Sequence, residues 1–159
     1  MGRVVSRDEL IVLRGSLREQ RKNVVFTNGV FDILHRGHVE YLQKAKALGD
    51  VLMVGMNTDE SVKKIKDNGR PIVTEQDRAH VLAALAVVDY VCLFPEETPY
   101  ELLRALVPDV LVKGADWPVG AVVGKDIVEQ AGGSVQTIEF LPQRSTTNII
   151  NIIKERFSS

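Results

Sequence analysis

Two of the three histidines in the chain, His35 and His38, stand close together in a segment that follows a short apolar run. Gly37, which lies between them, would let the backbone approach a ligand closely. A helix that starts here would add unpaired N–H groups and the positive end of its dipole, and both imidazoles can donate hydrogen bonds to an anion. The spacing therefore predicts a loop that binds phosphate.

Other interpretations fit this segment less well. A His-x-x-His pair can ligate zinc, but no third ligand is evident near His35 and His38, and the pair could also lie in an ordinary surface loop. A dinucleotide cofactor would require Gly-x-Gly-x-x-Gly after the first strand, and the sequence from Thr27 to His38 does not contain it. A dinucleotide-dependent dehydrogenase is therefore disfavoured.

The elements that must hold this loop alternate between strand and helix. Ser6 to Glu9 has the form of a capping box and predicts a leading helix that ends near Gln20. Five strands are predicted at 24–26, 51–54, 90–94, 110–112 and 135–140, and helices at 39–48, 58–66, 74–86, from 98 onward, 122–131 and 146–157. Thr98 is the expected N-cap of the fourth of these helices, with Pro99 at its first position.

This alternation predicts an α/β fold, a single doubly wound, Rossmann-like parallel sheet of five strands with helices on both faces. In such sheets the strand at 110–112 lies beside the strand at 24–26, and ligands bind beyond the carboxyl ends of the strands. We expect one domain over residues 1–159, with a leading helix in 1–22 and the core in 23–159. The loop with the two histidines falls at the ligand-binding edge.

Composition and charge indicate which kinds of partner the chain can have. Twenty Lys and Arg against 21 Asp and Glu give a net charge of −1, without the basic excess of a nucleic-acid binder. No apolar stretch approaches the ~18 residues that span a bilayer, and the first residues lack the apolar core of a secretory signal. We therefore expect no nucleic-acid or membrane partner and a cytoplasmic location. The single cysteine, Cys92, lies in an apolar run and is expected to be a buried strand thiol.

The segment from Asn28 to His38 resembles the His-x-Gly-His signature of the nucleotidyltransferase superfamily. The resemblance extends through nearly everything after Asn23, and its further segments are 57–60, 70–71, 75–78, 87–91, 113–117 and 144–150. Within the superfamily, the chain is most similar to the bacterial adenylyltransferases of ADP-heptose synthesis. Those enzymes are often fused to a sugar kinase domain, and this chain, too short to contain one, resembles the stand-alone form.

The resemblance implies a reaction and its partners. AMP would pass from ATP to D-glycero-β-D-manno-heptose 1-phosphate, giving ADP-heptose and pyrophosphate with Mg²⁺ as cofactor. It also implies a homodimer and a separate sugar kinase acting upstream. Two alternatives remain open: a CTP-dependent cytidylyltransferase for glycerol 3-phosphate or a similar alcohol phosphate, and a non-catalytic nucleotide-binding regulator on the same fold.

The resemblance also implies roles for residues of this sequence. The implied catalytic residues, which would meet the phosphates, are His35, His38, Lys64, Lys66 and Arg78. The implied nucleotide-binding residues are Thr27, Asn28, Gly29, Phe31, Asp32, Gly37, Lys113, Asp116, Ser145, Thr146 and Thr147. Asp32 has two possible roles, as a ligand of Mg²⁺ or as a brace of the loop. The hydroxyls at 145–147 also suit an ordinary helix N-cap, and Trp117 could stack on the base or cover the core.

Overall fold

A computed structural model describes residues 1–66, 69–115, 118–139, 141–142 and 144–157 of the 159-residue chain. Its strands are β1 (Arg3–Val5), β2 (Val24–Gly29), β3 (Val51–Asn57), β4 (Tyr90–Phe94), β5 (Val110–Gly114) and β6 (Ser134–Ile138). Its helices are α1 (Arg7–Glu19), α2 (Arg36–Lys46), α3 (Asp59–Ile65), α4 (Glu75–Ala83), α5 (Tyr100–Leu106), α6 (Lys125–Gln130) and α7 (Thr146–Phe157), with a 3₁₀ turn at Val119–Ala121.

The strands form one parallel sheet in the order β1-β4-β3-β2-β5-β6. The parallel α/β architecture is confirmed, and β5 lies beside β2 as expected. The expected number of strands was wrong, because the described part of the sheet has six. The additional strand is β1, in the region predicted to hold only a leading helix. It pairs with the outer edge of β4, with Val4 opposite Val91, and three residues are too few to show a periodicity.

Both faces of the sheet are covered, as the alternation of buried side chains requires. Val25 points to a core built with Leu42 and Leu82, which belong to α2 and α4. Phe26, its neighbour, points to the opposite core with helices α1, α5 and α6. The doubly wound arrangement places the start of α2 at the carboxyl end of β2, where the two histidines lie.

Local signals set most helix starts and failed at two. Ser6 and Glu9 form the predicted capping box of α1, and Thr74 caps α4 by accepting a hydrogen bond from a backbone N–H. Thr98 is not the N-cap of α5, because that helix begins at Tyr100 with Pro99 as N-cap. Helix α6 begins at Lys125 rather than at residue 122, since a 3₁₀ turn precedes it.

Two further expectations can be compared with the structure. Cys92 is fully buried in β4, as predicted, and burial raises the pKa of its thiol to about 11. Across the described ranges, the helices are too short or too polar to span a bilayer.

Candidate active site

A cleft of about 700 Å³ opens at the carboxyl ends of β2, β3 and β5. The residues of its wall come from these strand ends, the loop after β2, the segment between α3 and α4, the loop after β4 and the start of α7. The predicted site residues in the wall are Asn28, Gly29, Phe31, Asp32, His35, His38, Lys66, Lys113, Ser145, Thr146 and Thr147. The topology thus brings together most of the residues that the sequence singled out.

The two histidines form a stacked pair in the wall of this cleft. The ring centroids of His35 and His38 are 3.8 Å apart with 22° between their planes, and Phe31 contacts the His38 ring edge-on at 5.3 Å. Each imidazole Nδ1 is buried and has no hydrogen-bond partner, and the same is true of the side-chain oxygen of Asn28. Buried polar atoms are normally paired, and a group of unpaired ones is typical of a functional site rather than of ordinary packing.

Gly37 sets the position of the His35 ring. A Cβ at this glycine would lie 3.0 Å from both Nδ1 and Cε1 of His35 and 3.2 Å from the Cβ of Arg144. Gly29 has the same relation to the aromatic ring of Phe31, whose Cε2 would lie 2.9 Å from an added Cβ. Both glycines therefore allow a ring to pack directly on the backbone of the loop.

The histidines are neutral in this environment at pH 7. Burial is the main cause that lowers the pKa of His38 to about 4, and the proximity of His35, which disfavours a second proton on the pair, adds to it. Burial also lowers the pKa of His35, and the nearby guanidinium of Arg144 lowers it further. The pair can donate hydrogen bonds to an anion, but it carries no permanent charge. Positive charge for a polyphosphate must therefore come from lysine and arginine side chains.

Among the residues that the structure describes, four such side chains line the cleft: Lys66, Arg70, Lys113 and Arg144. Arg70 and Arg144 were not among the predicted site residues, although both lie in segments that carry the family resemblance. The position of Arg70 and Arg144 in these segments was the sequence signal that could have identified them as site residues. Glu97, beyond the end of β4, adds a carboxylate to the wall.

Asp32 is a brace rather than a metal ligand in this structure. Its buried carboxylate accepts hydrogen bonds from the guanidinium of Arg70 and from the backbone N–H groups of Ile72 and Val73, at 2.9–3.0 Å for the backbone donors. Burial favours the neutral form, but the hydrogen bonds from Val73, Ile72 and Arg70 outweigh it and lower the pKa of Asp32.

A resident metal ion does not fit these residues. The oxygens of Asp32 are occupied by three protein donors, and no group of three or more His, Cys, Asp and Glu side chains in the described ranges could hold a metal. Of the two roles considered for Asp32, the structure favours the brace.

Arg78, expected at the phosphates, lies outside the wall of the cleft. It is 1% exposed, and its guanidinium donates to the carbonyl oxygens of Val73, Val30 and Asn57 at 2.6–3.0 Å. It also donates to a carboxylate oxygen of Asp59 at 2.6 Å. These contacts tie α4 to the ends of β2 and β3, so Arg78 supports the loops that form the site.

Of the other predicted residues that the structure describes, Lys64, Thr27 and Gly37 do not line the wall. Lys64 is exposed and pairs with Glu60 at 3.0 Å on the surface of α3. Thr27 is fully buried and shares a 2.7 Å hydrogen bond with the hydroxyl of Tyr41, which does line the cleft. Asp116, like Trp117, lies outside the described residues.

The start of α7 closes another side of the cleft. Ser145 accepts a 3.1 Å hydrogen bond from the backbone N–H of Asn148, which is the N-cap role that its position allowed. Thr146 donates to the carbonyl of Ile33 at 3.3 Å and so joins α7 to the loop after β2. Ser145 therefore caps α7 and also lines the cleft, and the N–H groups at the start of a helix suit phosphate.

The chain belongs to the cytidylyltransferase-like family, which matches residues 26–152. Its predicted membership of the nucleotidyltransferases is thereby confirmed. It is 53% identical over 157 residues to the bifunctional protein HldE of Syntrophotalea carbinolica, a match that covers 94% of this chain and 32% of that protein. The chain thus spans about a third of the length of the curated relatives it matches.

Two solved structures share the fold. A lipopolysaccharide core biosynthesis protein from Thermoplasma volcanium is 30% identical, with a TM-score of 0.61, and the match covers 76% of this chain and 97% of that one. A pantoate-beta-alanine ligase from Francisella tularensis, solved with beta-gamma ATP and beta-alanine, has a TM-score of 0.62. That match covers 100% of this chain and 80% of the ligase, and at 17% identity it shows the fold alone.

Proposed function

We propose that this chain transfers AMP from ATP to D-glycero-β-D-manno-heptose 1-phosphate, giving ADP-heptose and pyrophosphate. The observation that carries the proposal is the stacked, neutral histidine pair on Gly37, in a cleft with four cationic side chains. The likeness to HldE and to the lipopolysaccharide core biosynthesis protein supports the choice of a sugar phosphate as acceptor.

The reaction needs positioning and charge stabilisation more than proton transfer. An oxygen of the acceptor's phosphate attacks the α-phosphorus of ATP and forms a new O–P bond. The bond from that phosphorus to the α,β-bridging oxygen breaks, and pyrophosphate leaves with the electron pair. A phosphate monoester with a second pKa of ~6 is largely ionised at neutral pH, so no general base is required. Mg²⁺ enters with ATP.

His35 and His38 stabilise the charge that grows on the phosphates. A neutral imidazole carries one N–H, and because Nδ1 is buried without an acceptor in both rings, Nε2 is the nitrogen able to donate to a ligand. Such preorganised donors act strongly because they need no reorganisation during the reaction. The hydroxyls and N–H groups at 145–147, with Arg144, hold the pyrophosphate portion. Lys113, at the end of β5, borders the nucleoside.

The remaining partners follow from this chemistry. The acceptor must be supplied by a kinase that phosphorylates the anomeric hydroxyl of the sugar. A homodimer is the proposed assembly, and the exposed apolar side chains of Ile152, Ile153 and Phe157 on α7 are consistent with a protein contact. A cytoplasmic location agrees with the single reduced cysteine in the sequence.

The test is a reaction of purified protein with heptose 1-phosphate, Mg²⁺ and either ATP or CTP. We expect ADP-heptose and an equal amount of pyrophosphate, with ATP preferred; preference for CTP would select the cytidylyltransferase alternative. Transfer of a nucleotide to no sugar phosphate would refute the proposal. If the wild-type chain binds ATP without turnover, the regulator is the better interpretation.

A further inference from the structure

A buried carboxylate holds a guanidinium at one side of the cleft. Asp32 and Arg70 form an ion pair in which the carboxylate side chain is 0% exposed and the guanidinium side chain 15%. The carboxylate is fixed in turn by the backbone N–H groups of Ile72 and Val73, which immediately follow Arg70 and Pro71. The positive end of the pair is therefore the end that meets the cleft.

Only one of the three guanidinium nitrogens is used by this pair. Arg70 donates through Nε to Asp32, and across the described residues its two terminal nitrogens have no protein acceptor. Arg70 lines the cleft, so these nitrogens are available to a ligand there. A guanidinium with a fixed plane and free terminal N–H groups matches the oxygens of a phosphate in a bidentate manner.

The position of Arg70 separates it from the other phosphate-binding groups. The histidine pair and the start of α7 come after β2 and β6, and the nucleoside wall comes after β5. Arg70 and Lys66 come from the connection between α3 and α4, which follows β3 on the other side of β2. In-line phosphoryl transfer places the attacking and leaving oxygens on opposite sides of phosphorus. A second group of cations on the β3 side is where an attacking phosphate would be held.

We propose that Arg70, together with Lys66, binds the phosphate monoester of the acceptor, and that Asp32 is the residue that positions Arg70. The inference rests on the nucleotidyl transfer proposed above and assigns the acceptor's phosphate to a subsite of its own. Recognition at this subsite is of the phosphate rather than of the sugar. It predicts that the affinity for the acceptor and the affinity for ATP depend on different arginines.

The test compares steady-state kinetics of the full chain with Arg70→Gln and Arg70→Lys. The KM for heptose 1-phosphate is expected to rise about 10- to 100-fold in Arg70→Gln, because a charge-assisted pair of hydrogen bonds is lost, while the KM for ATP stays within about 2-fold. Arg70→Lys should restore little of the affinity for the acceptor, because a lysine that pairs with Asp32 has no second nitrogen to donate to a phosphate. The matched control is Arg104→Gln, at an exposed position on α5.

The role of Asp32 is read from Asp32→Asn, which keeps the size of the side chain. A positioning role predicts a higher KM for the acceptor and a nearly unchanged KM for ATP, whereas a general loss of structure would change both and lower the melting temperature. If this variant does not fold, the Arg70 variants carry the test. A parallel rise of both KM values in Arg70→Gln, or no change in either, would overturn the proposal.

The transfer reaction and the phosphate subsite can be refuted separately. If the wild-type chain turns over no sugar phosphate, the transfer reaction is refuted, and the subsite is tested by calorimetry with inorganic phosphate in the presence of a saturating, non-hydrolysable ATP analogue. Phosphate binding that is at least about 10-fold weaker in Arg70→Gln than in the wild-type chain and in Arg104→Gln supports the subsite. Equal or undetectable binding in all three proteins contradicts it.

Discussion

The two edges of the same sheet are built in opposite ways. At the amino edge, Asp50, Asp89 and Asp109 each stand directly before a strand and accept a hydrogen bond from the backbone N–H opposite them on the neighbouring strand. The N–H donors are Asn23 at 2.7 Å, Leu52 at 2.7 Å and Val24 at 2.8 Å, respectively. Backbone groups at the start of a strand that would otherwise lack a partner are thereby satisfied.

Cations complete the amino edge. Arg14, which is 4% exposed, donates to Asp109 at 2.9 Å and to the carbonyl oxygens of Leu106 and Val107. Lys46 lies against Asp89 at 2.5 Å. These polar side chains contact other residues of the chain, so we expect the amino edge to contribute to the free energy of unfolding.

The carboxyl edge leaves polar atoms without partners. It holds the unpaired side-chain atoms of Asn28, His35 and His38, and Phe31 adopts a left-handed φ of +48° beside them. Groups of this kind lower the stability of the folded chain and are retained where a ligand needs them. The difference between the edges teaches that one sheet can separate stability from function, and the predictions below test that separation.

The largest expected effect is on catalysis by His38→Ala. Removing one preorganised donor to the developing charge should lower kcat by about 10²–10³-fold. Because this donor acts on charge that develops only in the transition state, we expect ATP to bind within a few-fold of the wild-type affinity. The measurement is kcat in the ADP-heptose assay together with the Kd for ATP. His80→Ala, which removes an exposed histidine on α4, is the control and should be silent. A kcat equal to that of wild type would contradict the role of the pair.

The next effect is a loss of stability in mild acid that originates at the carboxyl edge. The folded pKa of His38 is about 4, below its value of ~6.5 in an unfolded chain, so the unfolded state binds more protons between these pH values. Stability from this residue is fully present above pH ~6.5 and is lost as the pH falls toward 4, by up to about 3 kcal/mol. The lowered pKa of His35 acts in the same direction.

Urea unfolding at several pH values between 7.5 and 4.5 measures this dependence. We expect the slope with pH to shrink in His38→Asn and to persist in His80→Asn. The lowered pKa of Asp32 affects stability only below the ordinary carboxyl range, so it does not obscure this window. An unchanged slope in His38→Asn would show that the ring is not held neutral by burial.

At the amino edge, Arg14→Ala should act on stability alone. The variant leaves Asp109 and two backbone carbonyls without their buried donor, which predicts a decrease of about 2–3 kcal/mol in the free energy of unfolding. The kinetic constants of the folded protein should not change. Chemical denaturation and the transfer assay together test this, with Arg104→Ala as the exposed control. A changed KM for ATP would break the separation between the edges.

Sequence reasoning succeeded where the signal was local. The capping box at Ser6 and the start of α7 at Thr146 both act within a few residues, so their patterns are visible in the sequence. Contacts between distant segments are not visible in this way. Arg70 meets Asp32 across 38 residues, and only the fold shows this contact.

The same limit explains the residues that the structure moved out of the cleft. Arg78 is surrounded by carbonyl oxygens from three different segments, and the helix that carries it gives no sign of them. Strand β1 was missed because its pairing with β4 depends on an edge that exists only after the sheet has formed. Charge type and motif therefore predicted the edge of the sheet at which the cleft lies, but not which arginines line it.

The smallest effect concerns backbone strain, which occurs at both edges. Val107, the C-cap of α5 beside the Arg14 contacts, has a φ of +47°, and a β-branched residue is strained there. Val107→Gly should raise the free energy of unfolding by about 1 kcal/mol without changing kcat, because nothing in the cleft depends on it. Phe31→Gly removes a similar strain but also removes a buried ring that packs on His38 and in the core, so it should lower both kcat and the free energy of unfolding. Thermal unfolding and kcat, measured on both variants, would contradict this account if Val107→Gly impaired catalysis as much as Phe31→Gly.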